Sequence, residues 1–161
     1  MRSRELGIAG VLCLILAALV PLASAAELNR DEYKAQVEPI CKTSKSASDK
    51  YLKGVRKLVK EEKLKQASER FTKAAAALEK AQKQLAVVPQ PTADEAKLAK
   101  WLNGIKGEVA LMRTIATKLR QGNAGRASSL SVKLTHNATA TNNLVIAFQF
   151  RYCKIDPSKY T

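Results

Sequence analysis

The sequence predicts an all-α protein: an antiparallel up-down-up-down four-helix bundle with one disulfide, preceded by a signal peptide. Three observations predict it. Apolar and small residues recur at steps of three and four from Tyr33 onward, the spacing that lays one stripe along a helix. The strongest breakers, Pro89, Pro91, Gly122 and Asn123, gather between stretches of similar length. Alanine, lysine and leucine dominate, while aromatic residues make up only 5% of the chain, a composition that favours helix.

Residues 1–25 read as an export signal. Arg2 and Arg4 supply the positive start, Leu6 to Val20 is an uncharged apolar run, and Pro21 breaks it. Ala23-Ser24-Ala25 places small residues where signal peptidase needs them, predicting cleavage between Ala25 and Ala26. An uncleaved anchor is the lesser alternative, because the run extended to Ala26 barely reaches the ~20 residues that span a bilayer. Cys13 lies inside the run rather than at its end, which argues against lipidation. The expected location is therefore secreted or extracytoplasmic, in the cell envelope. The remaining 136 of 161 residues suffice for one domain, 26–155, with a frayed tail at 156–161.

The first helical segment is expected to start at Asn29, with Glu32 at capping-box spacing, and to carry its stripe through Tyr33, Val37, Ile40, Cys41, Ser44, Ser48, Tyr51, Leu52, Val55, Leu58 and Val59. Pro39 should kink it and Gly54 weaken it mildly. The second segment repeats the spacing through Leu64, Ala67, Phe71, Ala74, Leu78, Ala81, Leu85 and Val88. Neither Gly nor Pro separates these two segments. A single rod from Asn29 to Val88 would be about 90 Å long, more than the rest of the chain could cover, so a turn is expected near Lys60 to Lys63. Pro89 and Pro91 end the second segment, and Thr92 with Glu95 should cap the third. That third segment would bury Leu98, Trp101, Leu102, Ile105, Val109, Met112, Ile115 and Leu119. After the Gly122–Gly125 loop, the fourth should run through Leu130, Leu134, Ala138, Thr141 and Phe148 to Tyr152, with Pro157 as its stop. Equal amphipathic helices on short connections imply antiparallel neighbours with coiled-coil-like packing.

Removing the signal leaves two cysteines, Cys41 and Cys153. An even count outside the cytosol argues for one disulfide, which would stabilise the fold by about 4–5 kcal/mol in the chain-entropy model. The topology brings the first and last segments to one end, so the two residues can meet. Because Cys41 sits about three turns into its helix, residues 30–40 should overhang, and a kink at Pro39 could fold them across the bundle end.

The elements "DEYKAQVEPICK", "PQP" and "NNLVIAFQFRYCK" together resemble a group of uncharacterised secreted proteins of high-GC Gram-positive bacteria. That group is similar in its export signal, its "EY…IC" opening and its closing aromatic-x-x-x-Cys element. Where the group often carries "GF" before the last cysteine, this chain has Gln149-Phe150. The resemblance implies a helical, disulfide-closed fold and brings no assigned activity, so it transfers no functional residue.

No catalytic constellation is expected. His136 is the only histidine and has no serine, cysteine or carboxylate motif around it. Glu61-Glu62 and Asp94-Glu95 fall at expected helix starts, where carboxylates favour the dipole. Two cysteines without a nearby histidine cannot build a four-ligand metal site, and the haem-attachment spacing CxxCH is absent. No cofactor is therefore expected. Asn137-Ala138-Thr139 fits a glycosylation sequon, which an export context of bacterial type makes coincidental. Trp101, Phe71, Phe148, Tyr51 and Tyr152 could line an apolar cavity, or serve simply as core.

Charge is the remaining feature. Without the signal the chain carries 26 Lys+Arg against 13 Asp+Glu. Lys42, Lys45, Lys50, Lys53, Arg56, Lys57, Lys60, Lys63 and Lys65 crowd one stretch. Such a field attracts polyanions: anionic cell-wall polymer, lipid headgroups or an acidic protein. Nucleic acid is disfavoured, because aromatic residues do not interleave with the cluster. The expected function is a non-catalytic exported interaction module with a basic face. The alternative is a carrier of a small apolar ligand inside the bundle.

Overall fold

A computed structural model describes residues 28–156. The expected signal, its Ala25–Ala26 cleavage site and the tail from residue 157, including the Pro157 stop, lie outside the described residues. Within them the regular structure is helical throughout: α1 (Arg30–Leu52), α2 (Val55–Lys60), α3 (Leu64–Leu85), α4 (Glu95–Arg120) and α5 (Ala124–Leu144), with single 3-10 turns at Thr92–Asp94 and Ile146–Phe148. Cys41 and Cys153, 112 residues apart in sequence, form a disulfide as expected.

Local chemistry sets the boundaries. At the start of α1 the Asn29 side chain accepts from the backbone N–H of Asp31 and Glu32, and Glu32 reaches back to the Asn29 N–H, 2.9 Å away, completing the expected capping box. α1 is continuous across Pro39, which lies on its exposed side. Gly54 does more than weaken the helix. It adopts φ +78°, a left-handed conformation that glycine tolerates best, and splits the expected first segment into α1 and α2. The turn at 61–63 falls where expected, with Glu62 at φ +56°. Asn123 caps α5 through a hydrogen bond from the Arg126 N–H, so Gly125 is helical rather than part of the loop.

Two expectations about helix ends fail. Thr92 does not cap the third helix: residues 92–94 form a 3-10 turn and α4 begins at Glu95 without a side-chain cap. The reason is Asp94. Its carboxylate is buried in a bidentate ion pair with Arg30, at 2.6 and 2.8 Å, rather than serving the helix start. The fourth helix ends at Leu144, not Tyr152. Val145 and Ile146 are β-branched and poor at continuing a helix, and Gln149 turns left-handed at φ +49°. Residues 149–156 then form an irregular strap. The Glu38 carboxylate accepts from the N–H of Arg151 and of Tyr152, the latter at 2.9 Å. The Asn142 amide both donates to the Ile155 carbonyl (2.7 Å) and accepts from its N–H (2.9 Å).

α1 packs on α3, α3 on α4 and α4 on α5. One core cluster joins Val55, Phe71, Met112, Ile115, Leu119 and Leu134. The other joins Tyr33, Val37, Trp101 and the disulfide to Phe148 and Phe150 of the C-terminal segment. The first residues of α1 therefore do not overhang. Tyr33 and Val37 are fully buried, because the C-terminal strap folds over them.

At Gly104, α4 lies close against α5. A Cβ on Gly104 would sit 2.3 Å from Thr141 Oγ1 and 2.8 Å from its Cγ2, and Gly104's carbonyl accepts from the Asn137 amide at 3.0 Å. Gly104→Ala is expected to push the helices apart and cost about 1–3 kcal/mol, read from the urea midpoint. Gly104→Ala combined with Thr141→Ala should recover part of the loss. An unchanged midpoint in the single variant would refute the contact.

Candidate anion-binding face and neighbouring clefts

The basic residues fall on three elements. Lys42, Lys45 and Lys50 lie on α1, with Lys53 at its C-terminal cap; Arg56, Lys57 and Lys60 lie on α2; Lys63 caps α3 and Lys65 sits in its first turn. All are exposed except Lys45, which is half-buried and pairs with Asp49 at 3.8 Å. The Gly54 break divides the group, so it is not one helix face. Glu61 likewise takes Lys57 (3.7 Å) and Lys63 (2.9 Å). Lys42 lies 5.6 Å from the centre of the Tyr152 ring. Glu61 itself caps the end of α2 rather than opening a helix as expected.

Helix dipoles account for part of this pattern. Lys50, Lys57 and Lys60 occupy last turns, where a cation offsets the negative helix end. Lys63 and Lys65 do the opposite. They stand at the positive start of α3, whose first turn holds no carboxylate and whose N-cap supplies no side-chain hydrogen bond. There Lys65 and the helix end add to one positive field, while Glu61 offsets the charge of Lys63.

Two clefts border this region. One, of about 60 Å³, lies beside the disulfide between α1, α3 and the strap; its charged lining is balanced, Lys45 and Lys154 against Asp49 and Asp156. The other, about 290 Å³, opens between α2 and α5. Its floor is Phe71, Ile115 and Leu119, its α2 wall Val55 and Val59, and its α5 wall the small residues Ala124, Ala127, Ser128 and Ser131. Arg56 and Lys60 stand among the lining, and no carboxylate does.

The expected aromatic set is not brought together. Trp101 and Phe148 pack ring against ring with Phe150, at 5.5 and 5.2 Å between centroids, and Tyr33 meets Phe148 edge-on. Phe71 lines the α2–α5 cleft, and Tyr152 the cleft beside the disulfide. Tyr51 is half-buried against the first core cluster. His136 is exposed on α5. The Asn137 amide is committed to the Gly104 carbonyl, which leaves the sequon's acceptor nitrogen occupied.

Two buried carboxylates escaped the sequence reading. Asp94 is held below the usual carboxylate range by the hydrogen bond from Arg30. Glu108 is fully buried, and burial pushes its pKa up to about 8 against a weak opposing hydrogen bond from Asn137. Its Oε1 lies 3.4 Å from the Asn137 amide nitrogen, and its Oε2 has no partner. Among the described residues, no cluster of His, Cys, Asp and Glu could hold a metal ion, and no helix is long and apolar enough to cross a membrane. Comparison with family models, curated proteins and solved structures finds no match.

Proposed function

We propose that this protein is a non-catalytic, exported interaction module whose basic segment 42–65 binds an anionic surface of the cell envelope. In this reading the four long helices form an antiparallel up-down-up-down bundle. The packing order supports that arrangement, as does the Arg30–Asp94 pair, which ties the start of α1 to the start of α4. The disulfide is compatible with an oxidising compartment outside the cytoplasm.

The carrying observation is the charge arrangement. Segment 42–65 holds nine cations against three carboxylates, and its last two lysines sit on a helix start that already favours anions. Partners of matching chemistry are anionic wall polymer, anionic lipid headgroups and acidic protein. The test is retention of the protein on immobilised polyglycerol phosphate and on phosphatidylglycerol vesicles, eluted by a salt gradient. Retention should vanish toward 1 M salt, where screening shortens to ~3 Å. Lys60→Glu with Lys63→Glu and Lys65→Glu should elute at clearly lower salt. Equal elution of variant and wild type would sink this reading.

A second reading, a carrier of a small apolar ligand, is favoured by the α2–α5 cleft with its apolar floor.

A further inference from the structure

We propose that the protein docks end-on on an anionic lipid bilayer, through the end of the molecule where the turn at 61–63 meets the loop at 121–123. The proposal rests on the anionic-surface reading and gives it one partner and one orientation. It adds Arg120 and Arg126, which lie outside the basic segment 42–65.

Two ties fix which elements share this end. The Ser68 hydroxyl, in the second turn of α3, donates to the Ala116 carbonyl near the end of α4 at 2.7 Å. The α2–α5 cleft sets Val59 of α2 beside Leu119 of α4 and Ala124 of α5. Lys118, Arg120 and Arg126 flank those contacts in sequence, so they join the lysines around the turn at 61–63. The other end is closed by the Arg30–Asp94 pair, where α1 and α4 begin. α4 runs its 26 residues between the two ends, a separation of about 40 Å at 1.5 Å per residue.

Charge is uneven along that length. Residues 57–66 and 117–127 carry seven cations against two carboxylates, Glu61 and Glu62. Glu61 is taken up by Lys57 and Lys63. Lys60, Lys65, Arg120 and Arg126 are exposed and belong to no ion pair among the described residues. At the other end, residues 29–38 and 90–97 with Arg151 carry four cations against five carboxylates. A separation of about 40 Å is several times the ~8 Å screening length at physiological salt, so a surface met at the cationic end is not repelled by the far carboxylates. An apolar feature chooses lipid over polymer. The α2–α5 cleft lies at the cationic end, and Val132 on its edge is 49% exposed. Cations beside exposed apolar surface suit the boundary between headgroups and acyl chains, whereas a hydrophilic polyanion would leave that surface wet.

The test is flotation of residues 26–161 with vesicles of phosphatidylglycerol and phosphatidylcholine, beside retention on immobilised polyglycerol phosphate. Binding should rise steeply with the phosphatidylglycerol fraction and fail on pure phosphatidylcholine. Arg120→Gln with Arg126→Gln should weaken it about 25-fold, or about fivefold per cation, the equivalent of ~1 kcal/mol each. Lys97→Gln with Lys100→Gln, at the opposite end, should leave it within about twofold. Fluorescence reads the orientation. Val132→Trp should be quenched by brominated lipid, whereas Ile146→Trp, exposed next to the Phe148–Tyr33 contact, should not. The native Trp101 is fully buried and adds no quenchable signal. Vesicle binding that ignores the Arg120 and Arg126 changes, or equal quenching at both ends, would overturn the end-on footprint and leave adhesion through segment 42–65. Retention on the polymer without vesicle binding would overturn the lipid assignment alone. Absence of both would overturn the inference together with the reading on which it rests.

Discussion

Replacing Cys41 and Cys153 together by serine is expected to lower the unfolding free energy by about 4–5 kcal/mol. The linkage joins residues 112 apart, and in the chain-entropy model a loop of roughly a hundred residues removes about that much from the unfolded ensemble. Against a total of about 5–15 kcal/mol for a domain, the loss decides whether the fold survives moderate heating. The native strap has other holds. Glu38 still receives the Arg151 and Tyr152 amides, and Asn142 still brackets Ile155. The double variant should therefore keep native helicity in buffer and lose its stability through the unfolded state. Urea unfolding of residues 26–161 with and without the two substitutions, neither form then holding a free thiol, measures the difference. A change below about 1 kcal/mol would mean that the hydrogen-bonded strap alone closes the chain.

Stability should also fall as pH rises from about 5 to 8, and Glu108 should be the cause. Its folded pKa is raised to about 8 from an ordinary 4.5. The sign follows from proton binding: between these values the folded chain holds a proton that the unfolded chain has released. The contribution is fully present below about 4.5 and is lost as pH climbs through about 8. At 1.36 kcal/mol per unit, the ceiling is on the order of 5 kcal/mol. Asp94 acts in a separate window. Its lowered pKa gives stability that is present above the ordinary value of 3.8 and lost as pH falls through the folded one. The decisive measurement is the difference between wild type and Glu108→Gln across pH 5 to 8. Wild type should lose stability steadily, while the variant stays nearly level. Parallel curves would show that Glu108 does not titrate in the core.

The apolar stripes were legible because a period of three to four survives any loop length. Tyr33, Val37, Leu98, Trp101, Met112 and Leu134 are all fully buried, as their spacing required. What the stripes did not disclose was where a helix stops. Leu144, Val145, Phe148 and Tyr152 keep helical spacing, yet the helix ends at Leu144, and Phe148 and Tyr152 reach the core from a 3-10 turn and a strap. Gly54 was read for its propensity, when its left-handed backbone was what mattered.

The polar interior was harder to read. Glu108 did leave a signal: it falls on the stripe between Ile105 and Met112, beside Val109, with Gly104 close by to admit α5. Asp94 left none, because its partner Arg30 is 64 residues away and nothing local announces the pair. The basic residues were legible as a cluster in sequence, but the division of that cluster by the Gly54 break was not. The α2–α5 cleft was invisible too. Small residues at 124, 127, 128 and 131 look like ordinary helix formers until the facing wall is known.

The distance in sequence between the two bonded sulfurs has a kinetic consequence. A ribosome adding about 5–20 residues per second needs roughly 6–20 s to reach Cys153 after making Cys41. Throughout that interval Cys41 waits as a thiol without its mate, and an oxidant acting then would couple it to a wrong thiol, either Cys13 of the same chain or one of another molecule. Slow oxidation thus favours correctly closed monomers, and fast oxidation during synthesis favours cross-linked pairs.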